Sequence, residues 1–159
     1  MASSVTTPAR SAEVCPPAWI PDDSQILFVG DIQGCARDLA RLLDRASFNP
    51  SLHRLVPLGD TVNRGPDAAG VFQVLRETRA LPIVGNHERA LLALNVDEDL
   101  PPWAKGAGSA YHQLHKAGAW DESLQWMKQW PVIARGPGCS ADLGDPACRA
   151  EVLCPTSSR

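Results

Sequence analysis

Three short segments constrain this chain more than anything else in it. Gly30-Asp31-Ile32-Gln33-Gly34, Gly59-Asp60-Thr61-Val62-Asn63-Arg64-Gly65 and Gly85-Asn86-His87-Glu88 occur in that order, each after an apolar run. The runs Ile26-Leu27-Phe28-Val29, Leu55-Val56-Pro57-Leu58 and Leu81-Pro82-Ile83-Val84 read as short buried strands. Two of them contain proline, which removes a ladder donor and weakens the case for a regular central strand. Parallel strands need a crossover of a dozen or more residues, usually a helix, and both gaps have that length.

The first gap places Leu39, Leu42, Leu43 and Ala46 on one helical face. The second opens on Pro66 and Asp67, a good helix start, and puts Val71, Val74 and Leu75 on one side. The pattern predicts βαβαβα over residues 25–96, an α/β sheet with helices on its faces. In a parallel sheet the strand ends open on one edge, where ligand sites form. Asp31, Asp60 and Asn86 each sit just beyond a predicted strand, so two carboxylates and an amide should meet there.

A chain that leaves a strand, turns sharply and enters a helix needs positive or crowded backbone angles. Gly30, Gly34, Gly59, Gly65 and Gly85 permit them, and they let a phosphate or metal approach the backbone. One Gly-Asp pair alone is a commonplace turn. Three segments in series, each presenting a metal-competent oxygen after a strand, suggest a two-metal phosphoesterase.

Length and composition leave room for one such domain. The chain has 159 residues, 44% hydrophobic, enough for a core but short for a complete two-sheet enzyme. A formal net charge of -3 with no basic run gives no electrostatic reason to expect nucleic acid or an anionic membrane as a partner. No stretch has the length of a membrane-spanning helix. Residues 1–24, with Ser3, Ser4, Thr6, Thr7, Pro8, Pro16 and Pro17 and no apolar core, read as a disordered leader rather than a secretory signal. Arg10 is the leader's only basic side chain, and Glu13 argues against a transit peptide. Five cysteines, an odd number, favour a reducing compartment over a disulfide framework, and the expected location is cytoplasmic.

The three segments resemble the pattern GDxHG, GDxxDRG and GNHE of the calcineurin-like metallophosphoesterase superfamily. Within its phosphoprotein phosphatase branch, the stretches from Gly30 to Cys35 and from Gly59 to Pro66 are most similar to symmetrical bis(5'-nucleosyl)-tetraphosphatases and ApaH-like phosphatases, as is Phe48-Asn49-Pro50. Gly85-Asn86-His87-Glu88 ends in glutamate, as in the protein phosphatases and many ApaH-like proteins. The resemblance covers residues 25–135 and implies the N-terminal part of a four-layer αββα sandwich, mostly parallel.

The resemblance also implies two divalent metal ions, manganese first, with cobalt, magnesium, iron or zinc as alternatives. Carried over position by position, Asp31 would ligate the first metal and Asp60 would bridge both. Asn86 would ligate the second through its side-chain oxygen and lie against the phosphate. Gln33 stands where many relatives have a histidine ligand, and an amide oxygen in place of an imidazole favours harder ions such as manganese or magnesium over zinc. Arg64 would hold the scissile phosphate, a task suited to a planar fork of donors. His87 would protonate or stabilise the leaving oxygen, with Asn63, where relatives often carry aspartate, orienting its ring. Two cations would activate a shared water and neutralise phosphate oxygens during in-line displacement, without a covalent intermediate.

Each side chain also has a plainer reading. His87 could cap the helix carrying Ala90, Leu91 and Leu94, and Arg64 could be a surface cation. Glu88 and Arg89 read as a first-turn acid and its solvated neighbour, and Cys35 as a packing residue. Further on, Asp97 to Gly106 form an acidic, proline-containing connector before helices predicted over 110–117 and 121–129. His112 and His115 are one turn apart and lack a third ligand, so they read as an exposed helix face rather than a metal pair. Trp120, Trp126 and Trp130 read as packing, with Trp103 or Tyr111 as candidates to line a cleft. Pro131-Val132-Ile133-Ala134 should start the next strand.

Relatives continue from such a strand into VHAG or VHGG and later a GHT-like segment, whose histidines serve the second metal. Here Gly136-Pro137-Gly138-Cys139 leads into an irregular tail over residues 136–159, read as disordered, and no histidine follows His115. Cys139, Cys148 and Cys154 are too irregularly spaced for a zinc site. The motif set therefore gives the second metal only Asp60 and Asn86. A fragment or truncated product is the favoured account, ahead of a degenerate relative or a partner subunit that completes the site. The leading function is a metal-dependent phosphohydrolase cleaving phosphoanhydride bonds such as those of diadenosine tetraphosphate. The alternatives are a protein Ser/Thr phosphatase or endopolyphosphatase, or an impaired phosphate-binding or regulatory protein. Expected partners are a dinucleoside polyphosphate or a phosphoprotein.

Overall fold

The computed structural model describes residues 18–19, 25–96, 100–136 and 139–141. The elements run β1 (Ala18–Trp19), β2 (Gln25–Val29), α1 (Ala36–Arg45), β3 (His53–Pro57), α2 (Ala68–Glu77) and α3 (Asn86–Leu92). They continue with α4 (Pro102–Lys105), α5 (Ala110–Lys116), α6 (Trp120–Met127), β4 (Ala134–Gly136) and β5 (Cys139–Ala141).

Strands β2 and β3 pair in parallel with Leu27 opposite Leu55, and α1 is the crossover between them. On the other side of β3 the chain from Leu81 to Val84 is extended without forming a regular strand. Leu81 N–H donates to Leu55 O at 2.8 Å and Ile83 N–H to Pro57 O at 2.9 Å. Val84 N–H turns the other way, to Pro131 O at 2.9 Å, just before β4. The prolines explain the irregularity: Pro57 has no N–H to give this segment and Pro82 has none to give the β4 side, so the ladder is thinned on both edges.

Successive steps from β2 to β3 to the Leu81 segment go in one direction, and right-handed crossovers then place every helix on the same face. The helices accordingly cover one face among the described residues, as an outer layer of an αββα sandwich does. That face buries Leu39 and Leu43 of α1, Val71, Phe72 and Leu75 of α2, Leu91 of α3, Leu114 of α5 and Met127 of α6 against Leu55. The opposite face holds a smaller cluster of Val56, Ile83 and Ala134, with Ile26, Phe28, Leu58 and Leu81 half-buried around it. A sheet apolar on both faces is what a sandwich requires.

The predicted helices start and stop for local reasons. Asp67 caps α2 by accepting from Gly70 N–H at 2.7 Å. Both α1 and α2 end on a left-handed residue, Ser47 (φ 50°) and Arg79 (φ 53°). Phe48 and Ala80 N–H then reach back to Leu43 O and Leu75 O at 2.9 Å, which satisfies the last carbonyls. The short α4 lies within the predicted connector.

At the termini, Ala18 and Trp19 pair in parallel with Ala134 and Arg135, and β4 pairs antiparallel with β5, Gly136 opposite Cys139. The rest of the predicted leader, and 137–138 and 142–159 of the predicted tail with Cys148 and Cys154, lie outside the described residues, as does Asp97. No helix among the described residues is long and apolar enough to cross a membrane.

Phe72 joins α2 to α6: its ring stacks on Trp130 at 5.6 Å and meets Trp126 edge-on at 5.7 Å. Phe72→Ala should cost about 3–5 kcal/mol of unfolding free energy by urea titration, as expected for a buried aromatic. A loss below about 1 kcal/mol would mean that this aromatic cluster does not hold α6 in place.

Candidate metal and phosphate site

The first two motif loops are zipped together through their backbones. Ile32 and Gln33 N–H both donate to Asp60 O, at 3.1 and 2.9 Å, and Gly34 N–H donates to Thr61 O at 2.8 Å. In return Gly65 N–H donates to Gln33 O at 2.6 Å and Asp67 N–H to Gly34 O at 2.9 Å. Such close approach explains Gly65, because a Cβ there would collide with the Gln33 carbonyl oxygen.

The second and third loops are joined by Glu88. Its side chain is fully buried, and its two oxygens accept from Gly85 N–H (2.8 Å), Asp60 N–H (2.9 Å), Thr61 N–H (2.8 Å) and Thr61 Oγ1 (2.8 Å). No ion pair to Glu88 exists among the described residues. The first-turn acid of the sequence reading is therefore a buried link between motifs rather than a solvated side chain. Its position as the third residue of α3, reaching back to the N–H of the preceding glycine, is half of a capping box, and that spacing was the available sequence signal. Gly59 packs against Gly85 so closely that a Cβ on Gly59 would lie 2.7 Å from Gly85 Cα.

This interlock brings Asp60, Asn86 and His87 together. Asp60 Oδ1 accepts from His87 N–H at 3.1 Å, and its Oδ2 lies 3.9 Å from His87 Nε2, too long for a direct hydrogen bond. The end of the Asn86 amide lies 2.9 and 2.8 Å from the two Asp60 oxygens. Turned nitrogen inward, the amide donates to both oxygens. Turned oxygen inward, it creates a cluster of three oxygens with no hydrogen between them, which only a cation would stabilise. On the first loop, Gln33 Nε2 donates to Asp31 Oδ2 at 3.0 Å, and Asp31 is exposed. Asp60 and Asn86 thus offer neighbouring hard-oxygen donors, Asp31 and Gln33 offer a second pair on the first loop, and the chemistry of these donors suits a divalent cation. Among the described residues no three acidic, histidine or cysteine side chains gather in one place.

Four motif residues other than glycine adopt left-handed backbones: Gln33 (φ 50°), Asp60 (φ 48°), Asn63 (φ 65°) and Arg64 (φ 63°). Each costs on the order of 1–3 kcal/mol, and such strain gathers where a side chain must be aimed. The Arg64 side chain is exposed beside the turn. Asn63 is held from an unexpected direction: Ala110 N–H, at the start of α5, donates to its Oδ1 at 2.8 Å. The Asn63 nitrogen therefore faces His87 Nδ1 at 3.1 Å. The network assigns Nδ1 as acceptor, so the ring hydrogen of the neutral His87 sits on Nε2, toward Asp60.

The remaining candidates lie apart from this network. His112 and His115 are exposed on α5, and Tyr111 packs edge-on against Trp120 at 4.8 Å. Trp103 on α4 is exposed, and Cys35 Sγ is directed at Gln33 O at 3.8 Å. The sequence reading did not single out Ala110, Thr61 or Gln113, whose amide bonds the turn after Arg64. Their roles come from tertiary contacts across 27 to 48 residues, which no local pattern announces.

A calcineurin-like phosphoesterase family model matches residues 24–155. A symmetrical bis(5'-nucleosyl)-tetraphosphatase of Aeromonas hydrophila subsp. hydrophila is 40% identical over 112 residues, 69% of this chain and 40% of that protein. One from Methylococcus capsulatus is 34% identical over 135 residues, 79% of this chain and 45% of that protein. A crystal structure described as a candidate diadenosine tetraphosphatase superposes with a TM-score of 0.57 at 31% identity, over 76% of this chain and 49% of that one. A metallophosphoesterase from Sphaerobacter thermophilus, at 23% identity and a TM-score of 0.53, shares the fold over 70% of this chain and 43% of its own.

Glu88→Gln replaces one acceptor oxygen by an amide nitrogen that faces N–H donors. It should lower the unfolding free energy by about 2–5 kcal/mol, since each buried donor left unsatisfied costs roughly 1–3 kcal/mol. The exposed neighbour Arg89→Gln should change it by less than about 0.5 kcal/mol. Equal effects of the two substitutions in urea unfolding would refute the interlock.

Proposed function

The chain belongs to the calcineurin-like phosphoesterase family, and from that premise we propose that it carries the metal- and phosphate-holding part of a phosphohydrolase acting on phosphoanhydride bonds such as those of diadenosine tetraphosphate. The observation that carries the reading is the convergence of Asp60, Asn86 and His87 from two motifs, with the Asn86 amide 2.8 to 2.9 Å from both Asp60 oxygens. The chain spans about 40% of the length of the curated relatives it matches, so their activity comes to it only as part of this proposal.

The family uses divalent metal ions. Asp31 and Gln33 would hold one and Asn86 a second, with Asp60 between them, and manganese suits this oxygen set. When bound, the ions supply an activated water as nucleophile and neutralise charge on the phosphate. The chain's own residues do the rest. Asp60, fixed through its backbone N–H by Glu88 and through Oδ1 by His87 N–H, keeps its carboxylate aimed at the edge shared by the loops. Arg64, exposed beside the turn, would supply a fork of donors for phosphate oxygens. His87 presents Nε2–H to the departing oxygen, with its ring held at Nδ1 by Asn63.

The substrate class rests on the relatives' names together with the likeness of the Gly59–Pro66 turn. A small dinucleoside polyphosphate fits this better than a phosphoprotein, and the odd cysteine count fits a reducing cytoplasm.

The test is hydrolysis of diadenosine tetraphosphate by the purified chain with added manganese, with the nucleotide products resolved. ADP should be the sole product, and Asp60→Asn should lower turnover by roughly a hundredfold or more, as the loss of a charge-stabilising group in such a site does. Manganese-dependent turnover that survives in the variant would refute the role of Asp60. Folded protein that binds phosphate without turnover would assign the chain a binding role instead.

A further inference from the structure

Helix α5 carries none of the three motifs, yet it grips the Asn63–Ala68 turn from outside. Besides Ala110 N–H on Asn63 Oδ1, the Gln113 amide spans the turn. Its Oε1 accepts from Ala68 N–H at 2.6 Å and its Nε2 donates to Gly65 O at 2.9 Å. Gln113 is well suited to this task, because a primary amide accepts and donates at once. The residue it secures on one side, Gly65, directly follows Arg64. Asn63 and Arg64 are consecutive residues with left-handed backbones, and such a pair persists only where its surroundings over-determine it.

We propose that Gln113 is a positioning residue for Arg64, tying both ends of the turn to α5 so that the guanidinium meets phosphate from a fixed backbone. The proposal rests on the phosphate-binding role given to Arg64 above. Gln113 also satisfies an orphan N–H at the start of α2, so a cap and a positioning device must be told apart. Gln113→Glu separates them, since it keeps an acceptor for Ala68 N–H and loses the donor to Gly65 O.

The experiment is calorimetric titration of the chain with inorganic phosphate in the presence of manganese, alongside thermal unfolding. It compares wild type, Gln113→Ala, Gln113→Glu, Arg64→Ala and the Arg64→Ala/Gln113→Ala double variant. Both Gln113 variants should bind phosphate about three- to tenfold more weakly, the scale of one or two lost hydrogen bonds. In the Arg64→Ala background the Gln113 change should add nothing, which is the signature of coupling. If Gln113→Ala does not fold, the glutamate variant decides. A lowered unfolding midpoint with unchanged phosphate affinity, or an equal loss with and without Arg64, would leave Gln113 a cap and overturn the proposal. Wild-type affinity in Arg64→Ala would overturn the role of Arg64 itself, and this inference with it.

Discussion

The Glu88 carboxylate, fully buried and accepting hydrogen bonds from Gly85, Asp60 and both the N–H and hydroxyl of Thr61, sets the geometry on which the site depends. Hydrogen bonds to a charged group are worth about 1.5–3 kcal/mol each, while an uncompensated buried carboxylate costs several. The cluster is therefore stable only when complete. Asp60 cannot relax from φ 48° without withdrawing its N–H from Glu88, and Gly85 cannot move away without losing the same partner. One buried side chain thus holds a strained residue in place and keeps the second loop against the third.

The same logic runs outward through amides. Ala110 N–H fixes the Asn63 oxygen, the Asn63 nitrogen then faces His87 Nδ1, and the neutral ring is left with its hydrogen on Nε2, on the side of Asp60. An aspartate at this position would accept from Nδ1–H and turn the Nε2 lone pair outward in the neutral ring. Asparagine reverses that polarity without moving the ring. The polarity of the His87 ring is thus decided by a backbone N–H in a helix outside the motifs.

Much of this was legible in the sequence, and the reasons are local. The apolar stripe of α1, the Pro66-Asp67 start of α2 and the glycine-flanked acids each encode their geometry within a few residues. The sequence also placed Asp31, Asp60 and Asn86 each just beyond an apolar run, and the structure brings Asp60 and Asn86 together. Three things were not legible. The Leu81–Val84 run read as a strand weakened by its proline, but which ladder edges Pro57 and Pro82 would thin depends on neighbours that hydrophobicity does not name. Which face the helices cover was left open, because periodicity does not report the direction in which strands are added. Glu88 looked solvated because a capping-box glutamate and an exposed one differ only in what lies across the fold, here Thr61, 27 residues earlier.

The hydrogen bonds that fix the three loops, from Gln33 on Asp31 to Gln113 on Gly65, all fall within residues 31–113. The backbone bonds between the first two loops, the Glu88 cluster and the Asn63–His87 pair are internal to that span. The placement of Asp60 and His87 rests on bonds inside this span. Close backbone placement of this kind comes from glycines that cross without a side chain, Gly59 against Gly85 and Gly65 against Gln33 O, and from one buried carboxylate that ties the loops they belong to.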